Sequence, residues 1–297
     1  MNMKEELLRY AIMIPIRYNR NQKTAFIDMM IEDAKKLNLA YRSEKMKTRF
    51  FECTNLIIGD LQHADTVFMT AYDTPQRNFF AASRYYPLHS KKNQQIQTLE
   101  FLIHLILLIL ACVITVMLLF SWNQLATSMK IGYVLMLGVF ALMLIYMSIN
   151  KASKVNMNRN SASVAIMYKL MKEKPRKTAF VFLDHAVSSY EGYKELLQDH
   201  DLSKKKVIIL DSLAKGEKIV CATLQKESCF KDHFQTVKYD KTEACDNVLR
   251  LMPYAYLLVS ADHDEFYVDT KKDDRISMEQ VNMIYEILYK SLIEEDS

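Results

Sequence analysis

Two stretches interrupt an otherwise mixed pattern of apolar and polar positions. Residues 101–120 read FLIHLILLILACVITVMLLF and residues 131–149 read IGYVLMLGVFALMLIYMSI, both without a formal charge. Each has the length a helix needs to cross a hydrocarbon core about 30 Å thick. A helix on a soluble core shows one apolar stripe, whereas these stretches are apolar on every face. The pattern therefore predicts a hairpin of two transmembrane helices. His104 falls in the first turn of the first span, where an interfacial imidazole is expected rather than a group working inside the membrane.

Elsewhere the apolar periodicity changes between helix-like and strand-like. Residues 21–37 repeat apolar side chains at Phe26, Met29, Met30 and Ala34 and predict an amphipathic helix. Strands are expected at 50–58 and 66–70, with a Gly59-Asp60 turn between them. Beyond the hairpin, Asn160 or Ser161 is placed to cap a helix running to about 171, which Pro175 ends. There follow a strand at 178–183, a helix at 190–198 and strands at 207–210 and 218–224. A helix at 241–252, a strand at 254–259 and a closing helix at 277–293 complete the pattern. Strands alternating with helices indicate an α/β fold around a mixed, largely parallel sheet. The strands before the hairpin are too few for a domain of their own. Residues 1–98 and 151–297 are thus expected to form one domain, interrupted by the transmembrane segment 99–150.

Charge refines this picture. The connection SWNQLATSMK carries one lysine, whereas Arg84, Lys91 and Lys92 precede the first span and Lys151, Lys154 and Arg159 follow the second. Positive flanks remain in the cytoplasm, which predicts two spans with both termini and the α/β domain cytoplasmic. The apolar run AIMIPI near the start is too short for a cleavable signal. A net charge of +4 is too small to imply nucleic acid but suits a face against anionic lipid. The five cysteines include Cys112 within a span and form no C-x-x-C pair, so neither a disulfide framework nor a zinc ribbon is indicated. Cys229 and His233 have helical spacing, which chance explains. No glycine-rich phosphate loop is present.

Three apolar strands end in or just before an aspartate: TVFMTAYD at Asp73, TAFVFLD at Asp184 and VIILD at Asp211. Ligand sites of open α/β sheets gather at the carboxyl ends of strands, so the three carboxylates are candidates for a metal or acid–base cluster. Strand-ending aspartates also cap following turns, and both readings stand at this level.

The order of segments adds a resemblance. NLIIGDL (55–61), TAYDTP (70–75), NRNSASVA (158–165), FVFLDHAV (180–187) and VIILDSL (207–213) follow one another as the corresponding motifs do in the M28 family of zinc aminopeptidases. The chain resembles that family over most of its length outside the hairpin. The resemblance implies a three-layer zinc-peptidase-like fold interrupted by two transmembrane helices. It also implies loss of most of the metal site. The family's zinc-binding histidine falls at Ala71, its bridging aspartate at Arg159, and its paired glutamates, one a general base and one a ligand, at Ala186 and Val187. Asp211 occupies a ligand position; Asp73 and Asp184 occupy supporting ones. Alanine and valine neither bind a metal nor move a proton, and arginine opposes a cation.

The expectation is a membrane-anchored, catalytically silent peptidase-like protein without a cofactor. It would bind a peptide or a partner in a vestigial cleft containing Asp73, Arg159, Asp184, His185 and Asp211. Arg159 is expected either to pair with Asp73 or Asp211 in place of a metal, or to face lipid headgroups. Implied partners are membrane lipid, a peptide, another membrane protein or an active homologous subunit. The alternative is a divergent zinc aminopeptidase whose ligands come from His63, His185 or His263. SADHDEF (260–266) is similar to an S-D-H-x-x-F segment of some family members, but it is read here as a polar turn entering a short strand, with His263 exposed. A Ser/His/Asp site built from Asp184, His185, Ser188 and Ser189 is not expected, because sequence neighbours at a strand end point in different directions. A purely structural membrane protein would have no usable cleft.

Overall fold

The computed structural model describes residues 3–47, 52–87, 89–149, 152–154, 156–187, 190–226, 228–238, 251–261, 267–270 and 273–296. The chain divides into two compact units. One comprises Met1–Pro75, Ser83–Asn93 and Lys154–Ser297; the other comprises Gln76–Ala82 and Gln94–Ser153.

The larger unit opens with α1 (Met3–Leu8), which continues as a π-helical turn, Arg9–Met13. The run AIMIPI thus closes a helical segment whose Met3, Leu7 and Tyr10 are buried. Helix α2 (Arg20–Lys36) starts at a capping box: Asn19 Oδ1 accepts from the Gln22 N–H, and Gln22 Oε1 accepts from the Asn19 N–H. Its apolar stripe buries Phe26, Ile27, Met30 and Ala34. Strands β1 (Tyr41–Lys47) and β2 (Glu52–Ile58) pair antiparallel. β1 reads YRSEKMK, and that sequence lacks the alternation that marks a strand. After the turn at Gly59 comes β3 (Thr66–Ala71), with β4 (Arg84–Tyr85) further on.

Beyond the second unit, whose helices are α3 (Ser90–Ser121) and α4 (Thr127–Ile149), a π-helical turn at Met157–Ser161 leads into α5 (Ala162–Lys172). Strand β5 (Thr178–Leu183), helix α6 (Glu191–Asp199) and strands β6 (Lys206–Asp211), β7 (Lys218–Thr223) and β8 (Gln235–Lys238) follow. Strands β9 (Ala255–Ala261) and β10 (Val268–Asp269) precede the closing helix α7 (Met278–Asp296). Most of the helix expected at 241–252 lies outside the described residues.

Among the described residues the main sheet has eight strands in the order β1-β2-β5-β3-β6-β9-β7-β8. The central run β5-β3-β6-β9 is parallel; β2 joins it antiparallel, and so does β7 at the other side. Side chains alternate across the sheet. Leu56, Phe68, Phe180, Phe182 and Ile208 face a core with α1, α2, α5 and α7, while Ile57, Val67, Val181, Val207 and Leu257 face a second core that includes α6. β3 is buried on both faces, which explains its continuous apolar run. The architecture is an α/β sandwich with helices on both faces of a mixed, mostly parallel sheet, as the alternation of elements predicts.

The start of α5 differs from expectation. Neither Asn160 nor Ser161 caps it. The Asn160 amide donates to the Asp73 carbonyl, and the Ser161 hydroxyl accepts from Arg17. The free N–H groups of the π turn go instead to Asp273, whose Oδ1 accepts from Asn158 and Arg159, each at 3.0 Å.

In the second unit the apolar windows of α3 and α4 are 6% and 0% buried, and both helices are long and apolar enough to cross a membrane. They are therefore not core helices of the unit they belong to. The loop before them is tied to α3 by the buried Glu100 carboxylate, which accepts the N–H groups of Phe79, Phe80 and Ala81. His104 Nδ1 donates to the Glu100 carbonyl, and its ring meets those of Phe79 and Phe80 edge-on.

Candidate functional site

Parallel pairing brings the carboxyl ends of β5, β3 and β6 side by side. Ala71 lies opposite Leu183, and the register Met69↔Ile209 carries Ala71 toward Asp211. The three aspartates do not form one cluster, contrary to the convergence proposed from the sequence. They divide into two polar centres with different counter-charges.

The first centre holds Asp73 and Asp184, both buried. The Asp184 carboxylate accepts from the Thr54 and His185 N–H groups, and its Oδ1 lies 2.5 Å from the Lys23 ammonium. Lys23 also approaches His185 Nε2 at 3.2 Å. Asp73 accepts from the Ala186 N–H; its carboxyl is pushed above the usual range by burial and then by the nearby charge of Asp184, with Lys23 opposing. Arg17, wholly buried, adds a second cation. Its guanidinium donates to the carbonyls of Tyr10, Ile14 and Tyr72, and burial lowers its pKa to about 10 while Asp73 holds it up.

Backbone geometry fixes this centre. Asn55, from the NLIIGDL segment, accepts the Asp184 N–H and donates to the Gly192 carbonyl. At Gly192 a Cβ would stand 2.1 Å from the Asp184 carbonyl oxygen, so only glycine lets α6 approach the end of β5 this closely. His185 adopts a positive φ of 47°. Ser188, Ser189 and His263 lie outside the described residues.

The second centre surrounds Asp211. The Tyr85 hydroxyl donates to its Oδ2 at 2.6 Å and the Ser212 hydroxyl to its Oδ1 at 2.8 Å. Burial raises the Asp211 carboxyl, and these two donors, with Arg159, pull it down. The expected direct pairing of Arg159 with Asp73 or Asp211 is not made among the described residues. The guanidinium lies over the Tyr85 ring, 3.8 Å from its centroid, and its buried Nε has no hydrogen-bond partner among the described residues. The physical reason is that the Arg159 N–H is held by Asp273 and the Tyr85 ring stands where the side chain leads. Its charge reaches Asp211 and Asp273 through space. Burial pushes the Asp273 carboxyl up to about 6, with Arg159 the largest opposing effect.

A cleft opens beside the second centre. Ala71, Ala186 and Val187 form part of its wall, Tyr85, Tyr190 and Tyr193 contribute rings, and among the described residues Asp211 is the carboxylate that lines it. Asp73, Asp184, His185 and Arg159 do not line it. His63 stands before β3, at the opposite end of that strand, where it contacts Asp60 at 2.7 Å. A strand of this length spans about 20 Å, so His63 is removed as a ligand for the cleft. Among the described residues no three His, Cys, Asp or Glu side chains are grouped to hold a metal. The side chains at the positions matched to zinc ligands do not fit the ion: Ala71, Ala186 and Val187 have no donor, and position 159 is a cation.

Lys23, Arg17, Tyr85 and Asp273 were not singled out from the sequence. Lys23 had a signal: it lies one turn before Phe26 and two before Met30, on the buried face of α2, where a cation requires a buried acid. Arg17, Tyr85 and Asp273 had none, since their roles depend on segments remote in sequence.

No family model and no curated protein sequence matches the chain. Solved structures do. Porphyromonas gingivalis glutaminyl cyclase is similar with a TM-score of 0.58 at 10% identity, over 99% of this chain and 96% of that one. The Legionella pneumophila LapA aminopeptidase gives 0.55 at 8%, over 99% and 70%. A leucine aminopeptidase precursor from Bacteroides thetaiotaomicron gives 0.54 at 10%, over 98% and 93%. At such identities the likeness concerns backbone alone: the chain has a mixed, mostly parallel α/β fold like that of these glutaminyl cyclases and aminopeptidases.

Proposed function

We propose that this chain is a membrane-anchored binding protein built on the zinc-peptidase fold and no longer a hydrolase. The observation that carries the reading is the cleft itself. It sits at the carboxyl ends of β3 and β6, and its walls are apolar and aromatic where hydrolysis needs metal ligands and a base. Its carboxylate, Asp211, is engaged by Tyr85 and Ser212. Such a surface suits a large apolar side chain of a peptide or of a partner segment, with Asp211 accepting one hydrogen bond. The hairpin α3–α4 supplies the anchor, with both termini on the cytoplasmic side and lipid around the spans. A membrane-protein partner or an active homologous subunit completes the assembly.

Protein purified from membranes after alkaline extraction, which the anchor reading expects to retain it, tests the proposal. Elemental analysis should find far less than one zinc per chain, with no release of N-terminal residues from peptides. Stoichiometric zinc, lost with peptidase activity in Asp211→Asn, would overturn it. The second reading, a divergent metallo-aminopeptidase, is favoured by the fold shared with aminopeptidases. With His63 removed, its remaining candidates are His185, which contacts Lys23, and His263.

A further inference from the structure

Two residues of the second polar centre belong to the chain segments that enter and leave the hairpin. Tyr85 lies on β4, just before α3 begins at Ser90; Arg159 lies on the π turn that follows the end of α4 at Ile149. They meet each other, the guanidinium 3.8 Å from the ring centroid, and both are tied to the end of β6. Tyr85 donates to the Asp211 carboxylate at 2.6 Å, and the Arg159 carbonyl accepts the Ser212 N–H at 3.2 Å. Residues 268–270 and Asp273 brace the same two legs: β10 pairs with β4, the Thr270 N–H donates to the Ser83 carbonyl, and Asp273 holds the Arg159 N–H. Tyr85 and Asp211 also face the cleft.

We propose that Tyr85, Arg159 and Asp211 form a latch that couples occupancy of the cleft to both legs of the hairpin. This rests on the binding function above. An occupant with an apolar body and a donor group, an ammonium or an N–H, gains a charge-assisted hydrogen bond by reaching Asp211. Tyr85 and Asp211 share the cleft wall, so a newcomer that reaches the carboxylate from the cleft competes with the Tyr85 hydroxyl for Oδ2. The ring then loses its anchor, and the Arg159 guanidinium, stacked on that ring, loses its platform. One displacement thus loosens the segment entering the hairpin and the segment leaving it.

Hydrogen exchange on the full chain in detergent, read by mass spectrometry, tests the latch without an identified ligand. Tyr85→Phe removes the hydroxyl and keeps the ring; Ala71→Lys places a tethered ammonium in the cleft as a substitute occupant. Both should speed exchange about tenfold in peptides covering 83–93 and in those covering 157–161, the change expected from losing a hydrogen bond to a charged group. The amides of β3, β5 and β6 should keep wild-type rates, which shows that the fold is retained. If they do not, Arg159→Met, which leaves the cleft wall intact, replaces the failing variant. Faster exchange confined to 83–93 overturns the coupling of the two legs. A response to Tyr85→Phe without one to Ala71→Lys overturns the link to occupancy. Neither result bears on zinc content or peptidase activity, so the binding function is judged separately.

Discussion

Replacing Lys23 by methionine removes the cation of the first polar centre while keeping the length of the side chain. In the folded protein the ammonium is 2.5 Å from Asp184, and the two side chains are 11% and 2% exposed, so water cannot take its place. Asp73 adds a second carboxylate whose proton affinity is already raised by burial and by Asp184. Removing one member of a buried ion pair costs about 3–5 kcal/mol, against about 0–1 kcal/mol for an exposed pair. For a unit of this size that corresponds to a fall in unfolding midpoint of about 6–20 °C. The pH dependence has a definite sign. Without Lys23 the Asp73 carboxyl loses an opposing charge and is held further above its unfolded value. The stability it contributes is then present at low pH and lost as pH rises through the folded value. The gap between wild type and Lys23→Met should therefore be widest near neutrality and narrow in acid. Trp122 is the sole tryptophan and lies between α3 and α4, so its fluorescence does not follow this unit. Thiol labelling of Cys221, which is 0% exposed, does. A loss under about 1 kcal/mol, or one independent of pH, would refute the reasoning. So would failure of Asp184→Asn to recover part of the loss in the Lys23→Met background.

Gly192→Ala should destabilise by more than the usual overpacking cost of about 1–3 kcal/mol, because the obstructing atom is a backbone carbonyl; Cys221 labelling or recovery of folded protein reads it. Asp273, with its carboxyl raised to about 6, contributes stability that declines as pH rises from about 4 to 6. Asp273→Asn should flatten that slope in unfolding curves collected across the range, and an unchanged slope would assign the titration elsewhere.

The extent to which each feature was legible follows from how local it is. The two apolar helices, the strands at 178–183 and 206–211, and the closing helix are legible because periodicity and length act within a few turns. β1 was missed because edge strands need not alternate and its hydrogen bonds come from β2. The start of α5 was misplaced because its cap, Asp273, comes from the far end of the chain. At the site, the apolar side chains at 71, 186 and 187 are plain in the sequence. The stack of Arg159 on Tyr85 is not, since Tyr85 precedes the hairpin and Arg159 follows it.

By itself the sequence determined which segments are apolar enough for a membrane and where strands end in aspartate. Composition and short-range spacing carry both. Only the tertiary structure decided how the aspartates are neutralised: Lys23 and Arg17 serve Asp73 and Asp184, while Tyr85, Ser212 and Arg159 serve Asp211. Charge pairing is a property of distance in space, and a buried carboxylate places no mark on the residues beside it in the chain to say which remote cation will meet it.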